Sequence, residues 1–449
     1  MWAREAPMRM FQPLSVKRVR FENRILRSAL GGKLCYYDGT VSEAWSNFER
    51  RFARHGIGGI VSTTMAVDGR RASPLEYPRI SHDRYVRPLR DGIAKIKAGG
   101  PCVYILQIGD PGYHTQTSLF PEKADGRTSS RVFDFFYGYR TLAAAMSLEE
   151  IAHSIGEHAR AARRAREAGA DGVEIAAAKG YLIHQFLNPG INRREDDYGG
   201  SAEKRFRFLR EIVQAARAAV GEDFLVGVRL SAVDHNHLPV NLRLPPSSYF
   251  RGNTLAQTLE YARALEGLGV DYLHVTQGFG FINPKENPGQ YPLGQVRIYA
   301  NHTRHLSVKA ALRATLLNTV PGFVLRPLLG FGWRPPTGES ADLAGAFKKV
   351  LDIPVIANGG FQERDLIERT LESGNSDMVS MARPLLANPD LLATFRAGKN
   401  APDRPCTRCN RCVVLTAVQP VGCYEPKRFH DTAEMEREVL RWSADPEET

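Results

Sequence analysis

The chain has 449 residues, 43% apolar and 24% charged, with 40 Gly, 27 Pro and a formal net charge of +11. This mixture supports a large core and excludes a disordered, collagen-like or disulfide-miniprotein chain. No window reaches the roughly 20 consecutive apolar residues that cross a bilayer, and the Lys and Arg alternate with Glu and Asp instead of forming an aromatic-studded basic strip, so nucleic acid is not an expected partner.

In chain order, residues 1–23 mix charged and apolar side chains without a signal-peptide-length apolar stretch, which makes a cytoplasmic location the expectation. Short β-branched or apolar runs then recur at 25–30, 59–64, 103–107, 172–176, 225–230, 272–277, 354–358 and 378–381. Helical stretches with readable ends lie between them. Ser147 and Glu150 form a capping-box pattern opening a helix to about Ala168, with Gly169 as its stop; Ser201 opens another that ends near Gly221; a third spans 362–373 and is closed by Gly374. Strand and helix alternating eight times predict a parallel (β/α)8 barrel over an open doubly wound sheet. No G-x-G-x-x-G follows a strand, so a Rossmann domain is not expected.

Residues 108–146 and 234–253 read as long loops after strands three and five. The third interruption, 278–340, is the least ordinary: between Glu286 and Glu339 there is no acidic residue, while Arg297, Arg304, Lys309, Arg313, Arg326 and Arg334 sit among Leu, Val, Phe and Trp. Loops after barrel strands lie on the catalytic face. The composition fits an extra packed helix with a basic face, a lid for a bulky apolar or acidic substrate, a dock for an acidic redox partner, or an interfacial membrane contact.

The barrel is expected over residues 1–400, followed by a small segment, 401–449. There Cys406, Cys409, Cys412 and Cys423 crowd into 18 residues with C-x2-C-x2-C-x10-C spacing. In a reducing compartment this is a metal site, and four thiolates suit either zinc or an iron-sulfur cluster.

The run Gly180-Tyr181-Leu182-Ile183-His184-Gln185-Phe186-Leu187-Asn188-Pro189, followed by Asn192-x-Arg194-x-Asp196-x-Tyr198-Gly199-Gly200-Ser201, resembles the old yellow enzyme family of FMN-dependent barrels. Asp377-Met378-Val379-Ser380-Met381-Ala382-Arg383-Pro384 and the cysteines narrow the resemblance to its iron-sulfur branch, that of 2,4-dienoyl-CoA reductase and trimethylamine dehydrogenase. The resemblance implies FMN and a [4Fe-4S] cluster on the four cysteines. It also implies that Ser28, Ala29, Gly31 and Thr64 lie at the flavin ring, Gln107 at its pyrimidine edge and Arg229 beside N1 and O2, where a fixed cation suits the negative charge of reduced flavin. Asn358, Gly359, Gly360, Ala382 and Arg383 follow strands seven and eight, where barrels hold phosphate.

Several positions depart from the family pattern. Gly31 stands where many relatives carry a Thr or Cys near flavin O4. The substrate-binding His-x-x-Asn or His-x-x-His pair is replaced by Ala176 and Lys179, and Asp110 stands where relatives often have His. Tyr181 matches the tyrosine that protonates an alkene carbon in reductive relatives; Lys179 would orient or polarise the substrate. The resemblance therefore implies an ene-reductase for an apolar substrate such as an enone, dienoyl thioester, steroid or isoprenoid. The alternatives are an oxidative amine dehydrogenase or N-demethylase, which a cationic Lys179 disfavours, and an electron-transfer subunit with a degenerate site. The longest relatives carry FAD and nicotinamide domains after the cluster; here the sequence runs only a short way past it, so a separate electron-transfer protein or reductase is the expected donor.

Overall fold

A computed structural model describes residues 8–70, 78–117, 126–133, 142–235, 251–279, 284, 287–336 and 338–441. Eight strands, Ile25–Arg27, Gly59–Val61, Val103–Gly109, Gly172–Ala177, Leu225–Ser231, Tyr272–Thr276, Val355–Asn358 and Met378–Met381, pair in parallel with their neighbours. Strand eight pairs with strand one, which closes the predicted barrel. The short strand Met65–Ala66 continues strand two past a break and pairs with the end of strand three.

Side chains alternate across each strand, so the strands feed two cores, strand four alone placing a glycine and the polar Glu174 where the others have inward apolar residues. Outward residues pack beneath the helices in the main cluster. Inward residues Leu26, Val61, Val103, Ile105, Leu225, Tyr272, Ile356 and Met378 fill the lower barrel, and the hairpin Leu14–Val16/Val19–Phe21 adds Val16 and Phe21 to them. Gly227 faces the Tyr272 ring so closely that a Cβ would overlap it. Gly227→Ala should therefore destabilise the protein by about 1–3 kcal/mol through overpacking; an unchanged thermal midpoint would show that the Tyr272 ring has room to move.

The helix ends fall where polar caps outcompete water for free amides. Leu148–Glu167 opens with the full box: Ser147 Oγ accepts from Glu150 N–H at 3.2 Å, and Glu150 Oε2 accepts from Ser147 N–H at 2.9 Å. Ser201 caps Ala202–Val220, which ends at Gly221 with φ 68°. The third helix is Arg364–Glu372.

The interruptions carry more structure than loops. After strand three come a 3-10 turn at Gly112–Thr117 and a small sheet of Arg127–Thr128, Val132–Phe133 and Leu142–Ala145. Most of the loop after strand five lies outside the described residues. The stretch after strand six contains three helices, Leu293–Thr303, Val308–Thr319 and Gly322–Leu329. Their inner residues Leu293, Val296, Ala300, Ala314, Leu317 and Leu325 pack with Val414 of the helix Arg411–Leu415, so the insertion rests on the cysteine segment. That segment is stitched to the insertion and to the barrel: Asn410 Nδ2 donates to the carbonyls of Asn287 and Gln290 at 2.8 and 3.0 Å, and Arg408 Nη2 to Gly360 O at 3.0 Å. The terminal helix is Thr432–Leu440, capped by Asp431. Among the described residues, no helix is long and apolar enough to cross a membrane.

Candidate active site

Towards the C-terminal ends of the strands the barrel interior turns from apolar to polar. The odd strands contribute Ser28, Gln107, Arg229 and Asn358 from within two residues of their ends or just past them, and the even strands contribute Glu174, His274 and Ser380, matching the layered filling of such barrels from alternate strands. These residues form one buried hydrogen-bonded network. Arg229 Nη1 donates to Ser28 Oγ at 3.1 Å and Nη2 to Asn358 Oδ1 at 2.9 Å. Asn358 Nδ2 donates to Ser380 Oγ at 2.9 Å, and His274 Nε2 lies 2.7 Å from the same hydroxyl. His274 Nδ1 meets Glu174 Oε2 at 2.8 Å, and Gln107 Nε2 donates to Glu174 Oε1 at 2.7 Å. Thr64 Oγ1 completes the line by donating to Gln107 Oε1.

Its polarity is fixed by the one acid. Burial alone would raise the Glu174 carboxyl, but the pull of His274, Arg229 and Gln107 outweighs it and holds the group below the ordinary value of 4.5. Burial drives the His274 imidazole down. An ionised Glu174 accepts from Gln107, which fixes the orientation of that amide. Gln107 then keeps one amide hydrogen and one carbonyl lone pair beyond those two bonds, a donor-acceptor pair that suits the imide edge of a flavin.

Above this layer opens a cleft of about 1100 Å³, counting the open space at its mouth. Its walls include every sequence-predicted flavin position: Ser28, Ala29, Gly31, Thr64, Gln107, Arg229, Asn358, Gly359, Gly360, Ala382 and Arg383. Lys179, Tyr181 and Cys412 line it as well. Gly359 and Gly360 have φ of 119° and 79°, a backbone only glycine adopts without strain, and it brings the chain against Ser340 and Pro336. Arg383 Nη1 donates to Pro288 O at 3.0 Å and to Asn410 Oδ1, so the cation is held between barrel and cysteine segment.

Lys179 and Tyr181 sit on a tight turn after strand four. Lys179 adopts φ 60°, a strained value for a side-chain-bearing residue, and Gly180 follows at 76°. The surroundings hold the turn: Gly180 N–H donates to His184 Nδ1 at 3.0 Å, its carbonyl accepts from Gln185 Nε2 at 2.7 Å, and His184 Nε2 meets Asp234 Oδ1 at 2.7 Å. His184 is thus a buried positioning residue. Asp110 accepts from Gly112 N–H at 2.8 Å and shapes the neighbouring turn. His114, missed from sequence, presses on Gly180, stacks on Tyr113 at 4.6 Å and lies 6.2 Å from the Tyr181 ring.

Burial pushes the His114 imidazole from 6.5 down to about 3. A base depressed in the fold contributes its full stability above 6.5 and loses it as pH falls towards 3, roughly 4–5 kcal/mol over that span. The protein should lose stability from pH 6.5 downward, and His114→Phe should flatten that slope. An identical slope in the variant would exclude His114 as its source.

The four cysteines of the C-terminal segment are free thiols. Burial raises the Cys412 thiol, and the nearness of Cys406, Cys423 and Cys409 adds to the effect. Arg428 Nη1 donates to Cys423 Sγ at 3.2 Å, and Arg383 and Arg428 both favour the thiolate of Cys406 against the burial that raises its pKa. Among the described residues, no group of three or more His, Cys, Asp or Glu side chains is arranged to hold a metal ion as it stands.

Fold and cleft together define a (β/α)8 barrel with a cofactor-sized site at its strand ends. The chain belongs to the NADH:flavin oxidoreductase / NADH oxidase family, whose model matches residues 9–238 and 335–402; the gap between them contains the helical insertion. It is 29% identical over 427 residues to a metal reductase of Desulforamulus reducens, covering 92% of this chain and 53% of that protein. It is 26% identical over 413 residues to a multifunctional alkene reductase/demethylase of Caballeronia cordobensis, covering 90% and 51%. The chain thus spans about half the length of these curated relatives. The solved complex of 2-naphthoyl-CoA reductase with 2-naphthoyl-CoA superposes with a TM-score of 0.74 at 22% identity, covering 98% of this chain and 58% of that one, a likeness of fold.

Proposed function

We propose that the cleft binds FMN and that the protein reduces an activated carbon-carbon double bond of an apolar substrate. The observation that carries this reading is a single cleft, floored by residues from the barrel strands, in which the flavin-type positions meet Lys179 and Tyr181. Bound FMN supplies a hydride from N5. Gln107 offers its spare donor and acceptor to the pyrimidine edge, and Arg229, held by Ser28 and Asn358, provides a fixed cation whose effect is only weakly screened in the interior. Tyr181 gives a proton to the substrate carbon, and Lys179 orients or polarises the substrate's activating group.

Cys406, Cys409, Cys412 and Cys423 would hold a [4Fe-4S] cluster, which supplies one-electron transfer. Four free thiols in one neighbourhood with two attendant arginines suit such a donor set. Cys412 belongs to the cleft wall as well, which would set such a cluster beside the flavin; in this reading the electrons come from a separate electron-transfer protein or reductase. Cys409→Ser should lower bound iron from about four per chain to a small residue, while Cys35→Ser should leave it unchanged; zinc in place of iron would overturn the cluster assignment.

The reading is tested by turnover with reduced methyl viologen and a panel of enones, cinnamates and enoyl thioesters, with saturated product as the expected result. Absence of product throughout, with oxidation of N-methylated amines instead, would transfer the cleft to amine dehydrogenation.

A further inference from the structure

We propose that the three-helix insertion after strand six is an in-plane membrane contact that docks the protein on an anionic bilayer surface. The inner faces of these helices are satisfied by one another and by Val414. The outer sides of Val308–Thr319 and Gly322–Leu329 carry large apolar side chains, where the outer face of a surface helix is ordinarily polar. On Val308–Thr319, Val308, Leu312 and Leu316 recur every fourth residue along one exposed side, opposite the buried Ala310, Ala314 and Leu317. Phe323, Leu328 and Phe331 follow in the chain, and these six side chains are between 60% and 88% exposed. Seven of the twelve large apolar side chains exposed among the described residues fall within residues 308–331, a concentration that marks an interaction site.

Charge selects the occupant. Residues 287–338 contain six Lys or Arg and no Asp or Glu. Arg304 and Arg326 are exposed, whereas Arg334 pairs with Glu339 at 3.4 Å and Arg297 is turned inward, donating to the carbonyls of Leu317 and Val320. A second copy docked through a two-fold interface would set this positive face against itself. An anionic bilayer offers negative charge at its surface and apolar depth below it, the pairing that basic amphipathic helices with Phe and Leu on the other side recognise. No spanning helix is required, only shallow burial of the stripe.

The test is flotation of the full-length holoprotein with vesicles of phosphatidylglycerol and phosphatidylcholine against phosphatidylcholine alone, at low and high salt. Expected are association with the anionic vesicles that weakens with salt, and a drop in partitioning of at least about tenfold for Phe323→Ser/Phe331→Ser and for Arg304→Gln/Arg326→Gln. Leu312→Gln/Leu316→Gln serves as a second apolar variant, and bound flavin and circular dichroism report that each variant folds. No association with anionic vesicles would overturn the proposal. So would association that ignores the Phe and Leu changes and follows charge alone, which indicates electrostatic adsorption without insertion of the stripe, or self-association abolished by the same apolar variants, which indicates a second copy. None of these readouts involves turnover, so failure here is distinguishable from failure of the ene-reductase reading.

Discussion

Tyr181→Phe is expected to slow alkene reduction by about 10²–10⁴-fold while leaving the rate of flavin reduction unchanged. Tyr181 is buried to 5% exposure in the cleft wall beside His114, and phenylalanine keeps the ring and its packing while removing the hydroxyl that carries the proton. Rapid-mixing measurement of the two half-reactions separates them. Equal loss in both would mean that the tyrosine positions the flavin, and no loss in either would remove it from the chemistry. Lys179→Met should raise KM for substrates with a carbonyl or carboxylate more than it lowers kcat; an unchanged KM would place the lysine outside substrate contact.

Glu174→Leu is expected to destabilise the protein by roughly 3–5 kcal/mol, because it leaves the buried donors around it without their acceptor. Those donors are Gln107 Nε2 at 2.7 Å, His274 Nδ1 at 2.8 Å and the Tyr272 hydroxyl at 3.4 Å. Flavin retention should fall with stability, since Gln107 loses the bond that sets its orientation. Glu174→Gln should cost less, about 1–3 kcal/mol, because its carbonyl oxygen still accepts. The sign with pH follows from a carboxyl held below 4.5 in the fold: its contribution is present above 4.5 and is lost as pH falls through the depressed value. The stability gap between the wild type and Glu174→Gln should therefore narrow below pH 4.5 in chemical denaturation, and a gap that stays constant would mean that Glu174 is not ionised.

The barrel was legible because its determinants are local. Strand runs, the Ser147 and Ser201 caps and the glycine stops each announce themselves within a few residues, and the cleft residues near the strand ends could be placed by motif. The polar layer beneath them was not legible. Glu174 lies in Val173-Glu174-Ile175 and His274 in Leu273-His274-Val275, each an ionisable residue between apolar neighbours, and their partners come from strands distant in sequence. A signal did exist, since an ionisable residue centred in a buried parallel strand must find a partner, but the sequence does not say which. The insertion was ambiguous for a related reason: its composition gave apolar and basic residues without dividing them into inner and outer faces, and only packing against Val414 makes that division. His114 was missed because the residue it supports, Gly180, lies 66 positions away.

The most direct test of the central claim is anaerobic. The purified protein is assayed for FMN, reduced chemically, and mixed with enones, cinnamates, dienoyl thioesters and steroid enones while the flavin absorbance is followed. Ene-reduction requires the oxidised flavin band to return with at least one acceptor, together with a stoichiometric saturated product. A protein that binds no FMN, or whose reduced flavin ignores every activated alkene while its oxidised form is bleached by methylated amines, would contradict it.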